Sequence, residues 1–168
     1  MIFIELIGDD PQLFKELENF FALKNPTIIE NGKIYLNSTE IFLSDGKIAV
    51  DTKYKKIIIF STESHKSKVN IPKNSICICH SSDKGSLEVL VGKDVTVITY
   101  GMQKSDTVTF SSMEGNCLIS LQREICDING ITIEPLEFTS ILGNNDTSTL
   151  LLLNVVALIT NKLEKNIY

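Results

Sequence analysis

Ile76-Cys77-Ile78-Cys79-His80-Ser81-Ser82-Asp83-Lys84-Gly85-Ser86-Leu87-Glu88-Val89-Leu90-Val91-Gly92-Lys93-Asp94-Val95-Thr96-Val97-Ile98-Thr99 is the stretch from which the fold is read. An apolar run over 76–79 is followed by Ser82 or Asp83, either of which can cap a helix reaching to about Val91. Gly92 stops that helix, and Val95 to Thr99 is again apolar and β-branched. Strand, helix, strand in so short a span is a β-α-β unit, and a right-handed crossover makes its strands parallel.

Upstream, the apolar run Ile2 to Ile7 meets Gly8-Asp9-Asp10-Pro11. Asp10 is placed to cap a helix whose first residue is the proline. In that helix Leu13, Phe14, Leu17, Phe20 and Phe21 form one apolar stripe, and Asn25-Pro26 ends it. Residues 27–50 hold four short apolar segments, at Ile28-Ile29, Ile34-Tyr35-Leu36, Ile41-Phe42-Leu43 and Ile48-Ala49-Val50. They are separated by Asn31-Gly32, Asn37-Ser38 and Asp45-Gly46, which read as hairpin turns and predict an antiparallel meander. Ile57-Ile58-Ile59-Phe60 is apolar on both faces, as a central strand is. The polar stretch Ser61 to Lys68, with His65, reads as a surface loop.

Downstream, Thr107 to Phe110, Cys117 to Leu121 and Ile131 to Phe138 read as strands joined by short turns. In the last of these the apolar parity switches across Pro135, which predicts a bulge or an edge kink there. A helix is expected from about Thr147 to Lys162, apolar almost all round. Either it packs against the sheet, the favoured arrangement, or part of it meets a second chain. The expected fold is one α/β domain over residues 1–168, three-layer-like, with an open mixed sheet, a parallel β-α-β centre and antiparallel hairpins.

Composition narrows the function. The chain has 168 residues, 43% of them hydrophobic, and 16 Lys+Arg against 21 Asp+Glu give a net charge of −5. Scattered charge of that sign argues against nucleic acid or an anionic membrane as partner. Lys53, Lys55, Lys56, Lys66 and Lys68 flank an apolar run with only Tyr54 as aromatic company, and read as a solvated strand end. The first residues carry no basic leader and meet Glu5, and the apolar segment Leu150 to Ile159 is interrupted by Asn154 and too short to span a bilayer, so a cytoplasmic protein is expected. Cys77, Cys79, Cys117 and Cys126 lack C-x-x-C spacing and are expected to be reduced and mostly buried. His80 points away from the face that Cys77 and Cys79 share, so no metal site is expected.

Catalytic signatures are missing. Each Gly-Lys pair is followed by Ile or Asp rather than Ser or Thr, so no phosphate loop is present, and Asp9 and Asp10 would repel phosphate at the first turn. There is no G-x-S-x-G elbow. No catalytic residue and no cofactor is therefore assigned. The place to look for a ligand is where the strands at 76–79 and 95–99 end, because open α/β sheets bind ligands at the carboxyl ends of parallel strands. His80, Ser82, Asp83 and Lys84 lie in the first of those loops, Gly101 and Lys104 in the second. The simpler account makes Ser82 or Asp83 a helix cap and His80 a solvated turn residue. Arg123 either binds a carboxylate or pairs with Glu124 or Glu134.

From about Ile76 onward the chain resembles the second half of the central domain of the Mur ligases, ATP-dependent enzymes that add amino acids to peptidoglycan precursors. Cys79-His80-Ser81-Ser82-Asp83-Lys84 resembles that family's strand followed by an Asn-x-Asp-Asp-Pro turn. Val95-Thr96-Val97-Ile98-Thr99-Tyr100-Gly101 is similar to its strand ending Ile-Thr-Tyr-Gly, and Leu142-Gly143-Asn144-Asn145-Asp146 to its Gly-x-His-Asn turn. The resemblance puts an adenine-contacting Asn at Asn145. The chain is similar as well to small uncharacterised proteins of anaerobic Gram-positive bacteria. The family's Gly-Lys-Thr loop and its further ATP-binding domain have no counterpart here, so the resemblance implies the fold with its catalytic parts removed. The expected function is a non-catalytic interaction or regulatory module, with a protein partner or self-association. The alternative is a small-ligand or nucleotide-binding enzyme using the loops after 76–79 and 95–99.

Overall fold

A computed structural model describes residues 1–38, 40–48, 50–52, 54–61, 70–113, 117–140 and 146–161. The elements are β1 (Ile2–Ile7), α1 (Pro11–Phe21), a 3-10 turn (Ala22–Lys24), β2 (Thr27–Glu30), β3 (Lys33–Tyr35), β4 (Ile41–Ser44), β5 (Lys56–Phe60) and β6 (Ile76–His80). There follow α2 (Lys84–Leu90), β7 (Thr96–Tyr100), β8 (Val108–Ser112), β9 (Leu118–Leu121), β10 (Ile125–Cys126), β11 (Thr132–Ile133), β12 (Leu136–Thr139) and α3 (Thr147–Ile159). The fold is α/β. Ten strands form one open mixed sheet in the order β12-β9-β8-β7-β6-β5-β1-β4-β2-β3, and β10 and β11 form a separate ribbon. The chain packs as two compact units, the first comprising Met1–Cys79 with Asp83–Val97, the second His80–Ser82 with the chain from Ile98 onward.

In the first unit β1 lies between β4 and β5, parallel to both, and β5 is parallel to β6. Strands buried on both faces read as near-continuous apolar runs, and β5, apolar from Ile57 to Phe60, is buried along its whole length. Ile7, Ile58, Phe60, Cys77 and Cys79 point to the face that Leu87 and Leu90 of α2 cover. Leu6, of the opposite parity, lines a cleft with Phe14 of α1 on the other face. Helix α1 starts as expected: the Asp10 carboxylate accepts from the Leu13 N–H at 2.9 Å, with Pro11 in the first helical position. Leu13, Phe14, Leu17 and Phe21 are its buried stripe.

The expected meander is corrected. β2 and β3 do form an antiparallel hairpin around Asn31-Gly32, both with positive φ (49° and 78°), as a two-residue turn of this twist requires. β4, however, returns on the other side of β2 and runs parallel to it and to β1. Asn37-Ser38 is not a tight turn. The Asn37 side chain donates to the Pro26 carbonyl, and Thr27 Oγ1 donates to the Ser38 carbonyl and accepts from the Asn37 N–H, which fastens the connection to the start of β2. Ile48 and Val50 belong to no strand. Ala49 lies outside the described residues, as does the segment with His65.

The Lys cluster is corrected at Lys56, while Lys53, Lys66 and Lys68 lie outside the described residues. Lys56 is not solvated: it is 4% exposed, and its ammonium sits 2.8 Å from the carboxylate of Glu5, itself 7% exposed. It also donates to the Val50 carbonyl at 2.6 Å and lies 4.9 Å from the centroid of the Phe3 ring.

Around the β-α-β segment, the Thr96 N–H donates to the Ser75 carbonyl (2.9 Å) and the Ser81 N–H to the Tyr100 carbonyl (3.0 Å). The two residue numbers rise together, as in a parallel pair. Asp83 is the cap of α2, and Gly92 follows its C-cap with φ 73°. In the second unit β8, β9 and β12 form an antiparallel set. Pro135 does more than kink a strand. Residues before it pair in the β10–β11 ribbon, and residues after it form β12 at the margin of the large sheet. Leu150 to Ile159 of α3 are all buried within the single chain, so the helix needs no second copy to cover it. No helix among the described residues is long and apolar enough to cross a membrane.

Candidate functional site

The residues singled out in the sequence divide between the units. His80, Ser82, Gly101 and Lys104 belong to the second, Asp83 and Lys84 to the first, and Asn145 lies outside the described residues.

In the second unit the chain after β6 meets the chain after β7. His80 is half-buried, and its ring stands edge-on to that of the buried Tyr100, with centroids 5.2 Å apart. Its Nδ1 lies 3.2 Å from the Ser82 main-chain nitrogen, whose N–H points at it, and 2.7 Å from the Ser82 hydroxyl oxygen. Gly101 is fixed by space: a Cβ there would stand 2.6 Å from both Ser81 Oγ and Asp106 Oδ2. Asp106 is 1% exposed and accepts from the Gln103 N–H at 2.9 Å, which closes the 103–106 turn. Lys104 is exposed. Arg123 takes neither expected course; its guanidinium donates to the Ser105 carbonyl at 2.5 Å and so ties the end of β9 to the same turn.

In the first unit Asp83 accepts from the Ser86 N–H at 3.1 Å and from the Ser86 hydroxyl, which makes it a helix cap, and Lys84 is exposed. Cys77 and Cys79 sit in the apolar core, where burial, and after it the neighbouring Cys79 sulfur, push the Cys77 thiol up to about 12. A thiol so protonated is neither nucleophile nor ready metal ligand. Among the described residues no group of three His, Cys, Asp or Glu is placed to hold a metal ion.

A formed cleft lies away from the residues singled out in the sequence. It lies where β1, β2 and β4 end, lined by Leu6, Phe14 and Pro11 below and by Asp9, Asp45 and Lys47 at the rim, and encloses about 70 Å³. That is room for a few waters or one small polar group. Asp45 knits its walls together, accepting from the Asn31 N–H at 2.7 Å and the Lys47 N–H at 3.1 Å. The Lys47 ammonium is 2.9 Å from Asn31 Oδ1 and 3.5 Å from Asp9. Gly46 is required here, because at its φ of 71° a Cβ would collide with the Leu6 carbonyl oxygen. Asp45-Gly46 carries the sequence signal, but the pair follows a strand with parallel partners on both sides and is no hairpin turn.

The chain matches no protein-family profile and no curated protein. The site therefore stands on its own geometry.

Besides Asp106, two more aspartates of the second unit are engaged by main-chain donors. Asp127 is fully buried, and although burial would raise its pKa, the Ile131 N–H (2.7 Å), the Asn161 amide (2.6 Å) and the Asn129 amide hold it below the usual carboxylate value. Asp146 caps α3 through the Ser148 and Thr149 N–H groups; partial burial would raise its pKa, and the Thr149 side chain together with those N–H groups lowers it. Asn154 donates from inside α3 to the Leu150 carbonyl and to Ser140 Oγ.

Proposed function

We propose that this chain is a non-catalytic, Mur-ligase-like α/β domain acting as an interaction or regulatory module. The carrying observation is the use to which the turn after β7 puts its one buried acid: Asp106 is enclosed and bonded to the main chain of its own turn, against a glycine that admits no side chain. Asp83, Asp10 and Asp146 likewise serve as helix caps. A catalytic carboxylate needs an open lone pair facing substrate; these four face backbone N–H groups. A thermal-shift screen against ATP, UDP-sugars and amino acids tests the reading. The melting temperature is expected to stay unmoved, and a saturable rise abolished by Lys84→Ala would overturn it.

One observation favours the second reading, a small-ligand enzyme using the loops after β6 and β7. The Ser82 hydroxyl lies within hydrogen-bond distance, 2.7 Å, of the His80 Nδ1, the spacing of a hydroxyl nucleophile and its base. Covalent labelling by a fluorophosphonate, lost in Ser82→Ala and in His80→Gln, would favour it. Labelling no faster than that of the unfolded chain would remove it.

A further inference from the structure

Strand β3 ends the order of the large sheet, and each of its residues, Lys33, Ile34 and Tyr35, is exposed. The hairpin fixes which way its main chain faces. Glu30 and Lys33 flank a two-residue turn and form a hydrogen-bonded pair, so Ile29 and Ile34 form a non-hydrogen-bonded one. The N–H and C=O of Ile34 therefore point outward, away from β2. An open edge of this kind is a template for another strand.

We infer that this edge pairs with the same edge of a second copy, antiparallel, about a two-fold axis passing between the two Ile34 residues. The inference rests on the reading of the chain as an interaction module and names its partner. The register follows from the outward main chain: Ile34 exchanges both N–H···O=C bonds with Ile34 of the other copy, as an antiparallel hydrogen-bonded pair does. Lys33 then stands opposite Tyr35 of the second copy, cation beside aromatic ring, and no like charges are opposed. Leu36 falls opposite Gly32, whose neighbour is the Ile48 side chain, 3.8 Å from where a Cβ would be. The apolar groups thus meet apolar groups. Ile34 is 61% exposed and Leu36 79% on one side of the edge, Tyr35 is 51% exposed on the other, and Ile48, beside Gly32, is 37% exposed.

Area sets the strength. These four side chains expose roughly 400 Å² between them, about half of the ~800 Å² per partner of a standard stable interface. The expected dimer is accordingly weak, with dissociation in the micromolar range or above, and isologous, so that it closes at two copies.

Sedimentation velocity over a concentration series tests this. The wild type is expected to shift from monomer to dimer, and Ile34→Lys, which places an ammonium at the axis, or Leu36→Lys, which places one against the apolar Gly32–Ile48 corner of the other copy, to weaken the dimer at least about tenfold. Both sites are exposed, so the variants are expected to keep the wild-type circular dichroism. Met102→Lys, at an exposed apolar residue of the second unit, should leave association unchanged. A strict monomer up to about 1 mM, far beyond a micromolar dissociation constant, would overturn the inference, and so would a dimer that Ile34→Lys does not weaken. Either result leaves the module reading standing, because that reading falls to ligand binding or turnover and not to oligomeric state.

Discussion

Strand and loop handle buried carboxylates in opposite ways. In the first, Glu5 sits in the middle of β1, where the ladder to β4 and β5 has already claimed the neighbouring N–H groups, and a cation brought from 51 residues away neutralises it. In the second, Asp106 and Asp127 sit in loops, where free main-chain N–H groups and amide side chains satisfy them with no counter-ion among the described residues. A buried charge in a strand needs a partner side chain. A buried charge in a loop can be held by the backbone itself.

That difference can be broken most severely at Lys56. Lys56→Ala leaves Glu5 buried and unpaired, and equilibrium urea unfolding should show a loss of about 3–5 kcal/mol. Glu5→Leu combined with Lys56→Met should recover most of it, since a packed apolar pair of similar volume is no worse than a buried ion pair. Failure of the double variant to recover stability would mean that the pair has a further task.

In the second unit the expected losses are smaller, because each carboxylate is shared among several neutral donors. Asp127→Ala orphans the Ile131 N–H and the Asn161 amide and should cost about 2 kcal/mol. Asp146→Ala removes an exposed cap and should cost about 1 kcal/mol near neutral pH. Its pH dependence has a definite sign. The folded pKa lies below the ordinary 3.8, so the cap's contribution is complete above the unfolded value and lost as pH falls through the folded one. Wild type and Asp146→Ala should therefore converge in stability at about pH 2. A constant gap down to that pH would show that the Asp146 charge is not what stabilises α3.

What could be read in the sequence was what local chemistry decides. Asp10-Pro11 and Gly92 marked helix ends, Asn31-Gly32 marked a hairpin, and the apolar run at 57–60 marked a central strand; each works within a few residues of itself. The sheet class followed from the β-α-β segment. The placement of β4 did not, because Asn37-Ser38 carries the residues of a tight turn while its side-chain bonds lead the chain across β2 to a parallel partner. The Glu5–Lys56 pair was hidden for the same reason: nothing local distinguishes a lysine at a solvated strand end from one that meets an acid on the adjacent strand. At the candidate site, the approach of Ser81 to Gly101 was expected from parallel strands ending together, whereas the burial of Asp106 depends on a turn that only the folded chain defines.

The account turns on Asp106, the buried acid of the turn after β7, being held for the fold. Groups held for function are commonly strained, and removing them often raises stability. Urea unfolding of Asp106→Ala decides between the two. A loss of about 1–3 kcal/mol, the cost of stranding the Gln103 N–H and emptying a buried polar position, is the result predicted. Unchanged or increased stability would contradict it and mark this turn as a working site.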